Sequence, residues 1–191
     1  MASAFTHAFV GTVLGKMVKT REKMPLRFWI ALAALSAFPD IDVIGYHMGI
    51  PYDSQWGHRG FTHSLLFAFV LSLIVLELLR LKTRRFSLGW WINGTGLFLA
   101  TASHGFLDAF TTGGMGVAFF WPFDNTRYFF HNHPILVSPL TVGGFFTERG
   151  WSIIQSELYW VWLPTILLYG TLRFIGWGFR KEPRNPKRRP D

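Results

Sequence analysis

Long blocks of apolar residues constrain this chain more than any other feature of its sequence. The strongest block, residues 61–79, carries a single acidic residue, Glu77, close to its far end. A helix that crosses the ~30 Å hydrocarbon core of a bilayer needs ~20 consecutive, mostly apolar residues. Five blocks approach that length, and they are residues 4–18, 28–38, 61–79, 88–110 and 153–174. They predict an all-α polytopic membrane protein with about five transmembrane or membrane-embedded helices, of which the first two are short.

The composition limits the chemistry that such a protein can perform. Half of the 191 residues are hydrophobic, and there is no cysteine. Disulfides and thiolate metal sites are therefore excluded. Any metal ion in this chain must be held by histidine, aspartate or glutamate.

The basic residues are segregated along the chain in a way that predicts its orientation. Sixteen of the 19 lie in the stretches 16–27, 80–85 and 173–189. Arg59, Arg127 and Arg149 lie in the alternate set of connections. The positive-inside rule places the basic stretches in the cytoplasm, so the N-terminus faces out and the C-terminus faces in.

The predicted domain organisation follows from the same charge map. We expect one membrane-embedded domain, residues 1–180, followed by a basic cytoplasmic tail, residues 181–191. The net charge of +8 would indicate nucleic acid in a soluble protein. Here it is better explained by contact with anionic lipid headgroups, and no nucleic-acid partner is expected.

Histidines and aspartates collect at the predicted outer ends of the apolar blocks. The topology rests on lysine and arginine alone, so this convergence is an independent observation. Ionisable residues in or near the bilayer are costly and by default indicate function. The residues are His7, Asp40, Asp42, His58, His63, His104 and Asp108.

This set has the ligand chemistry of Zn²⁺, and Mn²⁺ or Fe²⁺ would also suit it. His104 and Asp108 are four residues apart and share one helix face, where they could grip one ion or bond to each other. Acids at a helix C-terminus oppose the macrodipole. Asp40 and Asp42 therefore indicate a cation, although an Asx-type turn would also fit. The number of carboxylates allows one ion or two ions bridged by an aspartate.

Three residues near these ligands have predicted roles in a reaction. Arg59 lies between the two histidines of the stretch 57–64, GHRGFTHS, where its forked donors would suit phosphate. It could instead form an ion pair with Asp40 or Asp42. Asp42 or a metal-bound hydroxide could provide the attacking water, and Thr62 could orient a ligand or cap the third helix.

Other polar and aromatic residues carry weaker predictions. Trp121 would line the lipid side of the site or belong to an interfacial aromatic belt, which is the more common situation. Glu157 could orient a ligand histidine or pair with an arginine. His131 and His133 could add ligands, but we expect them to face solvent.

Several motifs occur here in a recognisable order. They are His7 to Gly11 as H-x-x-x-G, then PDID, GHRGFTHS, SHGFLDAFTTGGMGVAFFWP and SELYW. This order resembles the YdjM-like family of bacterial inner-membrane proteins, described as LexA-binding, inner membrane-associated or membrane-bound metal-dependent hydrolases. The resemblance implies a polytopic inner-membrane protein with a divalent-metal site formed by the seven histidines and aspartates given above.

We therefore expect a metal-dependent hydrolase that acts at the periplasmic face of the inner membrane. A phosphoester or related bond in a lipid or lipid-linked substrate fits this position. Two alternatives remain at this stage. One is a transporter or metal-handling protein, which the lack of an internal repeat disfavours. The other is a structural metal site in a membrane assembly protein.

Overall fold

The computed structural model describes residues 1–18, 23–139 and 142–178, and these residues fold into seven α-helices. The helices are α1 (Ala4–Met17), α2 (Leu26–Ala37), α3 (Val43–His47), α4 (Leu65–Leu78), α5 (Leu88–Ala109), α6 (Glu148–Glu157) and α7 (Leu163–Gly178). Short 3₁₀ turns cover Phe38–Asp42, Phe61–His63 and Val142–Phe146, and a π-helical turn covers Leu158–Trp162. No strand forms within this part of the chain. The predicted all-α fold is confirmed.

Serine side chains fix where three of the helices begin. The Ser3 hydroxyl accepts a hydrogen bond from the Thr6 backbone N–H at the start of α1. Ser64 and Ser87 do the same for α4 and α5. Such caps satisfy backbone donors that have no partner inside the helix. Because α4 begins only after Ser64, the stretch 57–63 is a turn and not the first part of a helix.

Within the described residues, two helices are long and apolar enough to cross a membrane, which is fewer than the five predicted. They are Leu26–His47, in which α2, the 3₁₀ turn and α3 are continuous, and Glu148–Gly176, which joins α6 to α7. Helices α1 and α4 have 14 residues each, and at 1.5 Å per residue each is only about 21 Å long. Helix α5 is long enough, but polar residues such as Asn93, His104 and Asp108 lower its hydropathy.

Helices α1, α2 and α5 pack closely and form the core together with α4. A cluster from Phe28 to Ala100 includes the fully buried Leu32 and Leu97. Small residues allow the close approach of α1 to α2. A Cβ atom on Gly11 would lie 2.5 Å from the Ser36 Cβ atom. This contact holds the C-terminal half of α2 against α1.

The long helix from α6 to α7 contacts the rest of the protein mainly near its first half. Only 6% of its most apolar window is buried. Glu157 is 1% exposed, and its carboxylate accepts hydrogen bonds from the backbone and hydroxyl of Ser3 and from the hydroxyl of Thr6. This buried carboxylate attaches the helix to the start of α1.

The connection after α5 folds back over one end of the core. The backbone N–H of Ala118 donates to the carbonyl of Arg59, and that of Leu65 donates to the carbonyl of Phe119. Isolated bridges join Thr111 to Ile135 and Val117 to Tyr128. The connection therefore covers the turn that carries GHRGFTHS. The predicted tail, residues 181–191, lies outside the described residues.

Candidate metal centre

Three structural elements bring their polar residues to the same end of the core. The 3₁₀ turn after α2 carries Asp40 and Asp42, and the one before α4 carries His63. The last turns of α5 carry His104 and Asp108, which lie one helical turn apart on its buried face. Pro39 stands at the start of the first 3₁₀ turn, where the α-helical hydrogen bonding of α2 ends.

Four potential ligand atoms lie within 4.8 Å of one another, close to the spacing that a metal ion requires. The Nε2 atom of His104 is 3.2 Å from Oδ1 of Asp40 and 3.9 Å from Oδ2 of Asp108. The Nε2 atom of His63 is 3.7 Å from both of these oxygens. Ligands bound tetrahedrally at ~2.0–2.1 Å lie about 3.3 Å apart. The four atoms, which we call the four-atom group, fit one such ion with a small contraction.

The four-atom group has no hydrogen-bond partners among the described residues. Buried polar atoms are normally satisfied, so unpaired ones at one point require an explanation. The atoms are Oδ1 of Asp40, Nε2 of His63, Nε2 of His104 and Oδ2 of Asp108. A bound cation would satisfy all four together.

The Nδ1 atoms of His63 and His104 have polar partners, as the second ring nitrogen of a metal-bound histidine usually does. The Nδ1 atom of His104 is 2.7 Å from the backbone carbonyl oxygen of Ser36, to which it can only donate. The Nδ1 atom of His63 is 3.2 Å from Oδ2 of Asp42 and 3.1 Å from the Thr62 hydroxyl. With the proton on Nδ1, each Nε2 keeps a lone pair for the ion.

The local charges also favour a bound cation. Asp40, Asp42 and Asp108 supply three negative charges. The Arg59 guanidinium lies 3.2 Å from Asp108 and the Met1 amine lies 3.8 Å from it, and these two cations offset part of that charge. Uncompensated buried charge is strongly destabilising, so the excess of carboxylates favours a bound metal ion.

Asp42 is the centre of a hydrogen-bond network and not a member of the four-atom group. Its Oδ1 accepts from Nδ1 of His58 at 2.7 Å. Its Oδ2 accepts from the Arg59 backbone N–H at 3.1 Å and from the Thr62 hydroxyl at 2.6 Å. Asp42, His58 and His63 form a second group of metal-ligand type. Because these residues already bond to one another, they hold the 57–63 turn without an ion.

Arg59 is almost completely buried beside Asp108. Its Nε atom lies 3.2 Å from Oδ2 of Asp108. Its terminal nitrogens donate to the Gly113 carbonyl at 2.8 Å and to the Thr111 hydroxyl at 3.0 Å. Its backbone φ is +64°, a left-handed conformation that is strained for a non-glycine residue. The strained backbone at Arg59 therefore directs its guanidinium towards the centre.

His7 lies against the centre but outside the four-atom group. Its ring stacks on that of His104 with centroids 3.8 Å apart, and its Nε2 is 3.4 Å from Oδ1 of Asp108. Both ring nitrogens are buried and lack hydrogen-bond partners among the described residues. The structure thus brings all seven predicted ligands together, four of them in ligand geometry. Their role as ligands stays a prediction.

Comparison with known proteins assigns the chain to a family. A profile of the family described as YdjM inner membrane protein matches residues 1–181. This chain belongs to the YdjM inner membrane protein family. It is also 38% identical over 172 residues to the inner membrane protein YbcI of Escherichia coli (strain K12), which covers 90% of this chain and 97% of the relative. No solved structure matches.

A cavity of about 350 Å³ adjoins the centre of this YdjM-family protein. His58 and Arg59 form part of its wall, and Tyr52 lies next to them. Burial raises the pKa of the Tyr52 phenol, although the neighbouring Arg59 charge acts in the opposite direction. The Tyr52 hydroxyl therefore stays protonated at neutral pH and can donate a hydrogen bond towards the cavity.

The remaining predicted residues are placed as follows. The Thr62 hydroxyl donates to Asp42. Glu157 accepts hydrogen bonds from the hydroxyls of Ser3 and Thr6 and is not part of the four-atom group. Trp121 packs with Trp56 and Phe61, and it is not part of the cavity wall. His131 and His133 are exposed and belong to neither ligand group of the described residues.

Several residues that shape the centre were not identified from the sequence. The carbonyl of Ser36 orients His104, and the TTGG stretch after Asp108 supplies Thr111 and Gly113 to Arg59. Backbone carbonyls leave no signal in a sequence. The TTGG stretch begins three residues after Asp108, so its place at the same helix end could have been predicted from the sequence.

Gly114 is expected to be essential for the position of Arg59. Its φ is +94°, and an added Cβ atom would lie 2.5 Å from Nη1 of Arg59 and 2.7 Å from the Tyr52 hydroxyl. We expect Gly114→Ala to lower the free energy of unfolding by about 2–4 kcal/mol, because strain and a clash add. Gly49→Ala is the matched control, since Gly49 has a φ of +88° and open space around it. Equal losses in chemical denaturation of both variants would contradict the packing described here.

Proposed function

We propose that this protein is a divalent-metal-dependent hydrolase of the bacterial inner membrane. Its substrate bond would be a phosphoester or related bond in a lipid or lipid-linked molecule. One observation carries the proposal. Four unpaired ligand atoms converge at metal-ligand spacing beside a buried arginine and a cavity.

The ion that best fits the four-atom group is one Zn²⁺, with Mn²⁺ or Fe²⁺ as further candidates. Two histidine nitrogens and two carboxylate oxygens suit zinc, and four ligand atoms within 4.8 Å of one another suit one ion. A divalent ion held there would supply Lewis-acid polarisation of a phosphoryl oxygen and would lower the pKa of a bound water.

Arg59 would stabilise negative charge on the substrate. A guanidinium has five N–H donors. Arg59 donates one from each terminal nitrogen to Gly113 and Thr111, and its Nε faces Asp108 in an ion pair. The remaining two are available for phosphate oxygens, to which arginine binds in a forked manner. Its existing bonds fix the guanidinium before substrate arrives, and such preorganisation is a major source of catalysis.

Asp42 would position the 57–63 turn, and His58 would act from that turn. The bond between Asp42 Oδ1 and His58 Nδ1 leaves His58 Nε2 as a proton acceptor beside the cavity. This makes His58 a candidate to assist the attacking water, a role predicted from the sequence for Asp42 or a metal-bound hydroxide. Asp42 itself has both oxygens engaged, which favours a positioning role.

A multi-pass arrangement with the centre on the periplasmic side is part of the proposal. Two of the basic residues meet at the end of the core opposite to the four-atom group. Arg27, in the first turn of α2, donates from Nη2 to the carbonyl of Arg80, just after α4, at 3.2 Å. Under the positive-inside rule that basic end is cytoplasmic. The N-terminus would then face out, and membrane lipids would be the first partners of the site.

A structural metal site is the second candidate function. Four protein ligands complete a tetrahedral shell, which is typical of structural zinc, whereas catalytic sites keep an open position. Asp40 is the most exposed member of the four-atom group, at 16% of its side chain. The coordination shell of the ion could expand to five ligands on the side of Asp40.

Metal analysis combined with an activity assay tests the proposal. We expect purified protein to retain about one equivalent of metal per chain and to hydrolyse lipid phosphoesters, with activity lost on chelation and restored by zinc. His104→Ala should lose the metal and the activity. His133→Ala, which changes an exposed histidine, is the matched control. Metal without hydrolysis of any lipid phosphoester would support the structural alternative, and absence of metal would overturn both.

A further inference from the structure

The cavity beside the metal centre has a mainly apolar lining. Val43, Tyr46, Tyr52 and Val137 contribute apolar surface, and the polar side chains in the wall are His58, Arg59 and Ser138. Its volume of about 350 Å³ is within the ~300–1,000 Å³ typical of pockets for small ligands. A purely polar substrate would leave most of this wall without a suitable contact.

The side of the cavity formed by α3 belongs to a candidate membrane span. Val43 and Tyr46 lie on α3, inside the apolar helix Leu26–His47. Their neighbours along the chain are exposed and apolar, with Ile41 46% exposed, Ile44 58% and Met48 79%. Exposed apolar residues of this kind indicate contact with lipid in an inner membrane protein. The cavity therefore adjoins a segment that contacts hydrocarbon.

We propose that this cavity binds the hydrocarbon chain of a single membrane lipid whose phosphate lies beside Arg59 and the four-atom group. The ligand class is an anionic lipid phosphoester. Its apolar part matches the Val43, Tyr46 and Val137 wall, and its charge matches the guanidinium. The inference rests on the proposed function for the position of the phosphate, but the position of the chain rests on the cavity alone.

The cavity predicts a dependence of the reaction on chain length. Each methylene that enters an apolar site contributes to binding, so kcat/KM should rise about fourfold per buried methylene until the cavity is filled. We therefore compare octanoyl lysophosphatidic acid with glycerol 3-phosphate, which has the same phosphate and no chain. The wild-type protein should prefer the octanoyl compound by at least about tenfold.

Filling the cavity should remove this preference. Val137→Trp places an indole in the space for the chain, and we expect it to lower the ratio of the two kcat/KM values about tenfold. Val43→Trp provides a second, independent blockage in case the first variant folds poorly. Leu167→Trp on the exposed surface of α7 is the matched control and should leave the ratio unchanged. Wild-type hydrolysis without a chain preference would overturn the inference and leave the proposed function standing.

A binding measurement separates the two proposals. A phosphatidic acid with a diazirine in its acyl chain is photolysed in vesicles with the full-length protein, and labelled peptides are mapped by mass spectrometry. We expect labels at Val43, Tyr46 or Val137, and their loss in Val137→Trp but not in Leu167→Trp. Labels confined to α7 would overturn the lipid cavity. Labels in the cavity without metal-dependent hydrolysis would support the cavity and overturn the enzyme.

Discussion

Asp108→Asn is expected to abolish metal retention and to lower the free energy of unfolding by about 3–5 kcal/mol. The Asp108 side chain is completely buried, and its Oδ2 belongs to the four-atom group. The same carboxylate lies 3.2 Å from Nε of Arg59 and accepts a hydrogen bond from the Ala2 N–H at 3.0 Å. Asparagine has nearly the same shape but no charge, so the Arg59 guanidinium would stay buried without its counter-ion.

Two measurements separate the effects of this substitution. Elemental analysis reports the metal, and unfolding of metal-free wild type and variant reports the loss of the ion pair alone. Asp53→Asn, an exposed aspartate in the connection that carries Arg59, is the matched control and should change neither. A variant that keeps a full equivalent of metal would show that Asp108 is not a ligand.

Arg59→Lys is expected to lower kcat by about 10²–10³-fold while the metal is retained. Lysine preserves the charge but lacks the fork that reaches Gly113 and Thr111 together. The cation would no longer be held at one position relative to the phosphate. Because Arg59 is not a member of the four-atom group, metal content should be unaffected.

Steady-state kinetics with lipid phosphoesters would measure this effect. Arg149→Lys, which changes an exposed arginine, is the appropriate control and should retain wild-type rates. An Arg59→Lys protein with unchanged kcat, or one that loses its metal in parallel with its activity, would exclude the assigned role.

The positions of the helices and of the centre could be predicted because both depend on strong local signals. Each of the five apolar blocks coincides with a helical segment, and the helix ends carry the histidines and aspartates as expected. His104 and Asp108 share a face because helical geometry requires it. Family membership was also predicted correctly, since motifs such as PDID and GHRGFTHS retain their order.

The number of spans and the roles within the centre could not be predicted in this way. Apolar content does not give helix length, and the serine cap at Ser64 shortens α4 to less than a bilayer. Asp40 and Asp42 are two residues apart and look equivalent in sequence. Only the fold shows that Asp40 belongs to the four-atom group, whereas Asp42 accepts hydrogen bonds from the 57–63 turn. The arrangement of donors around a carboxylate depends on tertiary contacts, which the sequence does not reveal.

The ligands of the four-atom group come from both sides of α4, with Asp40 before it and Asp108 at the end of α5. A growing polypeptide therefore cannot complete the chelate until α5 has left the ribosome and docked against α2. Three concentrated carboxylate charges would oppose that docking for as long as no cation is present. Metal supply would then govern how much of the newly made protein matures, and metal-starved cells should degrade it faster than replete ones.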